Sequence, residues 1–506
     1  MYMTPEAAER FDELIEVLTK PKMQQQQQVP ASTFSSKHAD QLARDSIIEE
    51  VHNETDSPTR GCGRPFVVVE NKNGKDRLRF IFHPKRHNDW LDTCYIPKVD
   101  LHHISFYIDA VRSECAATAD LKCGFYGVEI PAQCRSWFRF RDENGRLFQM
   151  VRLPMGIKVA VEIMHMITQA VTGSPLVCKP TTSVTSVGNH TFIDDFRVQG
   201  TTGEVGNAVR VINERIAKCR VTLKEPLHVQ RHYTFLGVDF NHEDHSIKVA
   251  QKTVNKLPQQ LQARLTARDI ECLVSRLIYC AGALRQPLAT WYFTIKWATR
   301  LCNKMNRGQV RPEDVVLLPE SHQHQLRHWI YVAKTTITYP TRPTRDQHLV
   351  LYTDASIGGW GGVLFVPDGR TFIAGGAWAK THTSRDIAEL EARAAANSTH
   401  AFRDFITEYR NIEYRIDNTS IEGAFARGAA RTEILNQVLA PAFQYLVDND
   451  VVVTASYVRS GDNYADPTSR GQELKITREA AERVTHSRRG AGGASWRRAP
   501  PITHGQ

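Results

Sequence analysis

Two carboxylates stand side by side in Phe192-Ile193-Asp194-Asp195, between Thr191 and the strand-forming run Phe196-Arg197-Val198. That pattern predicts a hairpin whose tip projects both acids. Adjacent aspartates often do no more than cap a turn. Here, however, two further blocks precede them: Ala119-Asp120-Leu121-Lys122-Cys123-Gly124-Phe125-Tyr126, and Arg152-Leu153-Pro154-Met155-Gly156 running into a helical stretch through Ala170. Clustered carboxylates repel one another unless a cation sits among them. Phosphoryl transfer uses two divalent ions about 4 Å apart, and Mg²⁺ prefers carboxylate oxygens. Asp120 and Asp194, from separate strands, are therefore candidates to hold such a pair, with Mg²⁺ expected and Mn²⁺ as the alternative.

A second acidic set follows. Tyr352-Thr353-Asp354-Ala355-Ser356 ends an apolar strand, Gly358-Gly359-Trp360-Gly361-Gly362 turns into another, Ala388-Glu389-Leu390-Glu391-Ala392 is helical, and Tyr414-Arg415-Ile416-Asp417-Asn418 closes a third strand. Asp462-Asn463-Tyr464-Ala465-Asp466-Pro467-Thr468-Ser469-Arg470 completes the series. Acids at the ends of elements again suit two metals, now for hydrolysis by water.

The 506 residues are 41% hydrophobic and 24% charged, which suits a globular chain of about three domains. No stretch approaches the roughly 18 apolar residues of a membrane span. The start, Met1 to Glu6, lacks the basic and apolar regions of a secretory signal. Ten cysteines without a CxxC pair point to reduced thiols rather than a disulfide or zinc framework. A protein of the cytoplasm and/or nucleus is expected. The net charge is +9, and residues 251–340 alone carry an excess of +8, the footprint of a polyanion track or of a solvated helical face.

Five segments are expected: an N-terminal helix and polar linker (1–59, with helices over 4–20 and about 40–51), a β-rich mixed domain (60–245), a mainly helical segment (246–345), a second α/β unit (346–470) and a basic, disordered tail (471–506). Phe66–Glu70 and Leu78–Phe82 read as strand, turn, strand.

In block order, residues 60–245 resemble the fingers and palm of retroelement reverse transcriptases: Asp-x4-Phe, Leu-Pro-Met-Gly, Phe-x-Asp-Asp, then Leu223-Lys224 and Phe235-Leu236-Gly237. Residues 346–470 are similar to a ribonuclease H domain. The resemblance implies an α+β right-hand polymerase (fingers, palm, helical thumb and connection) followed by an α/β ribonuclease H-like domain. It implies Asp120, Asp194 and Asp195 as polymerase carboxylates, Phe125 as a gate against the ribose 2′-hydroxyl, and Arg77 and Lys72 on the triphosphate. Pro154, Met155 and Gly156 would shape the nucleotide and template pocket, Lys224 would protonate the leaving group, and Phe235, Leu236 and Gly237 would form the primer grip. Asp354, Glu389, Asp417 and Asp466 would be the nuclease ligands, with Glu391 the rival of Glu389. Two Mg²⁺ ions per site, dNTPs, an RNA template, a DNA primer and an RNA–DNA hybrid follow as cofactors and partners. Leu-Pro-Met-Gly and Asn-x-Ala-Asp-Pro-x-Ser-Arg look closer to the tyrosine-recombinase retroelements, DIRS-like or VIPER-like, than to retroviruses.

Two departures stand out. Many relatives have an aspartate and arginine where this chain has Ile81-Phe82-His83, and a histidine before the last nuclease aspartate where it has Tyr457 to Gly461. An inactive relic that only binds nucleic acid, and an RNA-dependent RNA polymerase, are the competing readings.

Overall fold

The expected hairpin forms. Gly188–Phe192 and Asp195–Gly200 pair antiparallel, and Cys115–Asp120 lies antiparallel along the other side of Asp195–Gly200. The computed structural model describes residues 2–19, 28–53, 58–72, 75–122, 124–340 and 348–486. They divide into two units, Met1–Leu101 with Ser113–Arg231, and His102–Arg112 with His232–Gln506. The whole is a mixed α and β chain.

In the first unit, alternate residues of the three-stranded sheet (Cys115, Ala117, Phe196, Val198) enter a core shared with Met164, Val205, Ala208 and Ile212. These last four come from the helices Ala160–Thr172 and Thr202–Lys218. A reciprocal capping box between Thr201 and Glu204 starts the second helix. The β-ribbon is longer than its apolar pattern indicated, pairing Arg64–Lys72 with Lys75–His83. The helix expected over 40–51 is displaced. Ser36–Arg44 is helical, Ser46 turns out of it at φ 55°, and Ile48–Glu50 becomes a strand.

The N-terminal helix Pro5–Thr19 buries Leu14 and Leu18 in a second core. It is also fixed by charge. Arg10 donates from Nε to Glu162 Oε1 at 2.7 Å and from Nη2 to Oε2 at 3.1 Å, while Tyr95 Oη and the Lys98 N–H reach Oε2 at 2.7 and 3.1 Å. Removing one partner of a buried ion pair strands the other charge. Arg10→Ala is therefore expected to lower unfolding free energy by about 3 kcal/mol, read as an earlier denaturation midpoint with unchanged slope.

The second unit contains a four-stranded sheet that includes His232–Phe235, Val238–Asn241 and Ser246–Val249, so the segment expected to be mainly helical begins as a strand. Helices Ala267–Ala283, Tyr292–Asn306 and Glu320–Thr335 follow, packed around Leu273, Leu277, Trp291 and Trp329. The two tryptophan rings stack with centroids 5.0 Å apart. The short segment His102–Arg112 belongs here because its Asp109 and Arg112 pair with Arg285 and Asp450.

A five-stranded mixed sheet completes this unit. Leu349–Ala355, Asn411–Ile416 and Val452–Tyr457 run parallel; on the other side Gly359–Phe365 pairs antiparallel to Leu349–Ala355, and Thr371–Ala377 pairs antiparallel to Gly359–Phe365. Leu349–Ala355 is buried throughout because both faces are covered. Leu349 and Leu351 point to one core, and Val350 and Tyr352 to the other. That second core includes Ala481 and Val484 of the helix Arg478–His486, so the first part of the expected disordered tail is ordered packing. Residues 487–506 lie outside the described residues.

Candidate functional site

In the first unit, Asp120 ends its strand directly opposite Asp195, which sets their Cβ atoms about 4.5–5.5 Å apart. Asp194 occupies the two-residue turn with Ile193. Ile193 has φ 59°, a left-handed conformation that costs a β-branched residue about 1–3 kcal/mol. Its N–H donates to Nδ1 of buried His165 at 3.2 Å, and the Asp194 carbonyl accepts from the Leu121 N–H at 3.1 Å. The chain is held in this strained shape with the Asp194 carboxylate over Gly124. Gly124 has φ 25°, and a Cβ there would lie 2.9 Å from Asp194 Oδ2, so a side chain would strain the backbone and push the carboxylate aside.

Lys224 Nζ donates to Asp120 Oδ2 at 2.6 Å, and its N–H donates to the Asp120 carbonyl at 2.9 Å. Burial first, and then the charge of Asp120, raises the pKa of Asp194. The hydrogen bond to Asp120 raises that of Lys224. A carboxylate disfavoured in this way, beside two other acids, is the environment a divalent cation relieves.

Other residues of this unit have simpler places. Phe125 is half-buried between the two cores. Pro154 is buried and Met155 partly so; the Met155 carbonyl accepts from the Phe82 N–H at 3.3 Å. Gly156 has φ 123°, and a Cβ there would meet Phe82 O at 2.6 Å. Lys72 and Arg77 lie on the ribbon, but their side chains lie outside the described residues. Arg79, which the sequence pattern did not single out, lies on the same ribbon, and its charge reaches Asp194. Phe235, Leu236 and Gly237 lie in the second unit. Leu236 and Gly237 have φ 48° and 78° and form a two-residue hairpin turn. Its Leu236 carbonyl accepts from the Tyr279 hydroxyl, and its Gly237 carbonyl from Thr253 Oγ1 at 3.1 Å.

The second acidic set lies entirely in the second unit. Asp354 is near the C-terminal end of the central strand. Asp417 follows the last residue of the neighbouring parallel strand, where open α/β sheets place their ligands. Helix Ile387–Ala401 brings Glu391 to them. Ligand atoms of Asp354, Glu391 and Asp417 all lie within 4.8 Å of one another, the one such trio among the described residues.

Glu389, the acid preferred from sequence, is not part of it. Two positions along a helix are about 200° apart, so Glu389 faces outward and pairs with Arg393 at 2.6 Å. Glu391, Leu390, Ala394, Ala395 and Ser398 face inward. Glu391 therefore replaces Glu389 in the cluster. Asp466 opens the short helix Asp466–Ser469 close enough to repel Asp354 and Glu391, and it pairs with Arg470.

Burial and the neighbouring acids push Glu391 up to about 9, and Asp354 to about 6. Glu391 Oε2 and Asp417 Oδ1 are buried without a hydrogen-bond partner. Orphaned oxygens among all-carboxylate donors fit Mg²⁺ or Mn²⁺.

No family model matches the chain, and no curated protein matches it. Among solved structures it is similar to a foamy viral protease-reverse transcriptase dRH in complex with double-stranded DNA. Identity there is 13% and the TM-score 0.48, over 90% of this chain and 80% of that one. A foamy viral protease-reverse transcriptase with dsDNA aligns at 12% identity and TM-score 0.46 over 90% and 94% of the two chains. The same protein with an RNA/DNA hybrid gives 13% and 0.46, over 90% of this chain and 61% of that one.

Proposed function

We propose that this chain is a retroelement RNA-directed DNA polymerase with a hybrid-directed ribonuclease in its second unit, working in the cytoplasm and/or nucleus. The observation that carries the reading is the presence in one chain of two separate carboxylate centres, each at strand ends and each holding an acid whose pKa burial and a neighbouring carboxylate raise. Leu-Pro-Met-Gly and Asn-x-Ala-Asp-Pro-x-Ser-Arg support a DIRS-like or VIPER-like element over a retroviral one.

In the polymerase centre, Asp120 and Asp194 would hold Mg²⁺, with Asp195 beside them. The ions would lower the barrier to attack by a primer 3′-hydroxyl and offset charge on the departing pyrophosphate. Lys224 stays protonated against Asp120 and can give a proton to that leaving group. Gly124 and the strained turn at Ile193 fix the direction of the Asp194 carboxylate. In the nuclease centre, Asp354, Glu391, Asp417 and Asp466 would orient water on the RNA strand, whose 2′-hydroxyl distinguishes it from DNA. Lys296, Arg300 and Lys304 stand exposed along one side of helix Tyr292–Asn306, exposed Arg307 follows its end, and the four suit phosphate contact.

Primer extension on an RNA template with dNTPs and Mg²⁺, together with cleavage of a labelled hybrid, tests the reading. Both activities are expected. Binding without incorporation would leave the relic, and preference for rNTPs would favour an RNA-dependent RNA polymerase. Phe125→Ala is expected to raise ribonucleotide incorporation on the order of tenfold to a hundredfold, since removing a ring opens room for one hydroxyl. Unchanged sugar discrimination would remove its gate role.

A further inference from the structure

The nuclease centre divides into an inner and an outer half with different electrostatics. In the inner half, Asp354, Glu391 and Asp417 form no ion pair among the described residues, and two of their oxygens are buried without partners. The outer half has its own cation. Arg470, four residues after Asp466, donates from Nε to both carboxylate oxygens at 3.0 and 3.2 Å and from Nη2 to Oδ1 at 2.8 Å. The Arg470 charge also acts on Asp354, which Asp466 repels.

A guanidinium seated across both oxygens takes up the lone pairs that a divalent ion would use. The Arg470 side chain is 57% exposed, and its one ion pair among the described residues is with Asp466. A planar guanidinium matches phosphate as well as carboxylate. Its move from Asp466 to a phosphate therefore exchanges one charge-assisted pair for another.

We propose that Arg470 is a built-in cation that keeps the outer half of the nuclease centre closed to a second divalent ion until a nucleic-acid phosphate draws its guanidinium off Asp466. The inference rests on the proposed nuclease reading. Without nucleic acid, the nuclease centre holds one divalent ion, at the inner trio. With a hybrid bound, phosphate and the second ion enter together.

Mn²⁺ bound to the full chain, counted by electron paramagnetic resonance, tests this, because the polymerase centre contributes equally to every variant. Without nucleic acid, Arg470→Ala is expected to bind one more ion than the wild type at the same free concentration, with at least about a tenfold gain in affinity for that ion. Arg470→Lys should fall between them, since an ammonium cannot span both oxygens. With RNA–DNA hybrid, freeze-quenched before turnover, wild type and Arg470→Ala should converge. Superimposable isotherms without nucleic acid, or counts that still differ with hybrid, overturn the role of Arg470. If Asp354→Asn leaves the Mn²⁺ count unchanged, the nuclease reading itself fails, and the inference with it.

Discussion

Asp194→Asn is expected to reduce primer extension by at least about a thousandfold, which corresponds to about 4 kcal/mol of transition-state stabilisation, while leaving hybrid cleavage at the wild-type rate. The substitution keeps the shape of the side chain over Gly124 and removes only the charge. Asp194 is the acid of the first centre that burial and Asp120 together disfavour, so the amide relieves repulsion in the cation-free protein. The thermal midpoint should therefore hold or rise slightly, which separates lost chemistry from lost fold. Asp354, Glu391, Asp417 and Asp466 all belong to the other unit, so cleavage has no reason to follow. Loss of both activities together would mean that the two acidic sets serve one centre.

What the sequence made legible was short in range and periodic. The strand carrying Asp120 ends in that acid, the strand carrying Asp354 ends one residue beyond it, and the Asp194-Asp195 hairpin formed where its flanking residues indicated. What it concealed depends on phase or on distant partners. Glu389 and Glu391 differ by two residues, so the choice between them rests on which side of the helix is buried. The inward stripe of Leu390, Ala394, Ala395 and Ser398 carried that signal. Arg79 is distinguished only by its approach to Asp194 in the fold, which no local pattern marks. The transfer of His102–Arg112 to the second unit depends on Asp109 meeting Arg285, 176 residues away. Nothing local marks such a pair. In the basic tail, Ala481 and Val484, three residues apart on a helix, were a weak apolar stripe hidden by the surrounding charge.

The choice between the two glutamates has a measurable consequence in the metal-free protein. Glu391 keeps its proton up to about pH 9 when folded, whereas an unfolded glutamate loses it near 4.5. Between those values the folded state binds more protons than the unfolded one, so stability falls as pH rises, by up to about 1.4 kcal/mol per pH unit. Asp354, shifted to about 6, adds to the fall in the lower part of that range. Glu391→Gln removes the larger contribution. Its metal-free thermal midpoint at pH 8 is expected to exceed that of the wild type, and the difference should shrink towards pH 5. Mg²⁺ should stabilise the wild type, increasingly at higher pH because binding requires the ionised carboxylate. It should give the variant a much smaller rise, and hybrid cleavage should be lost. Glu389→Gln breaks only an exposed pair with Arg393, worth under about 1 kcal/mol, and should change neither cleavage nor the response to Mg²⁺. The opposite pattern, with Glu389→Gln inactive and Glu391→Gln active, would return the ligand role to Glu389 and contradict the buried trio.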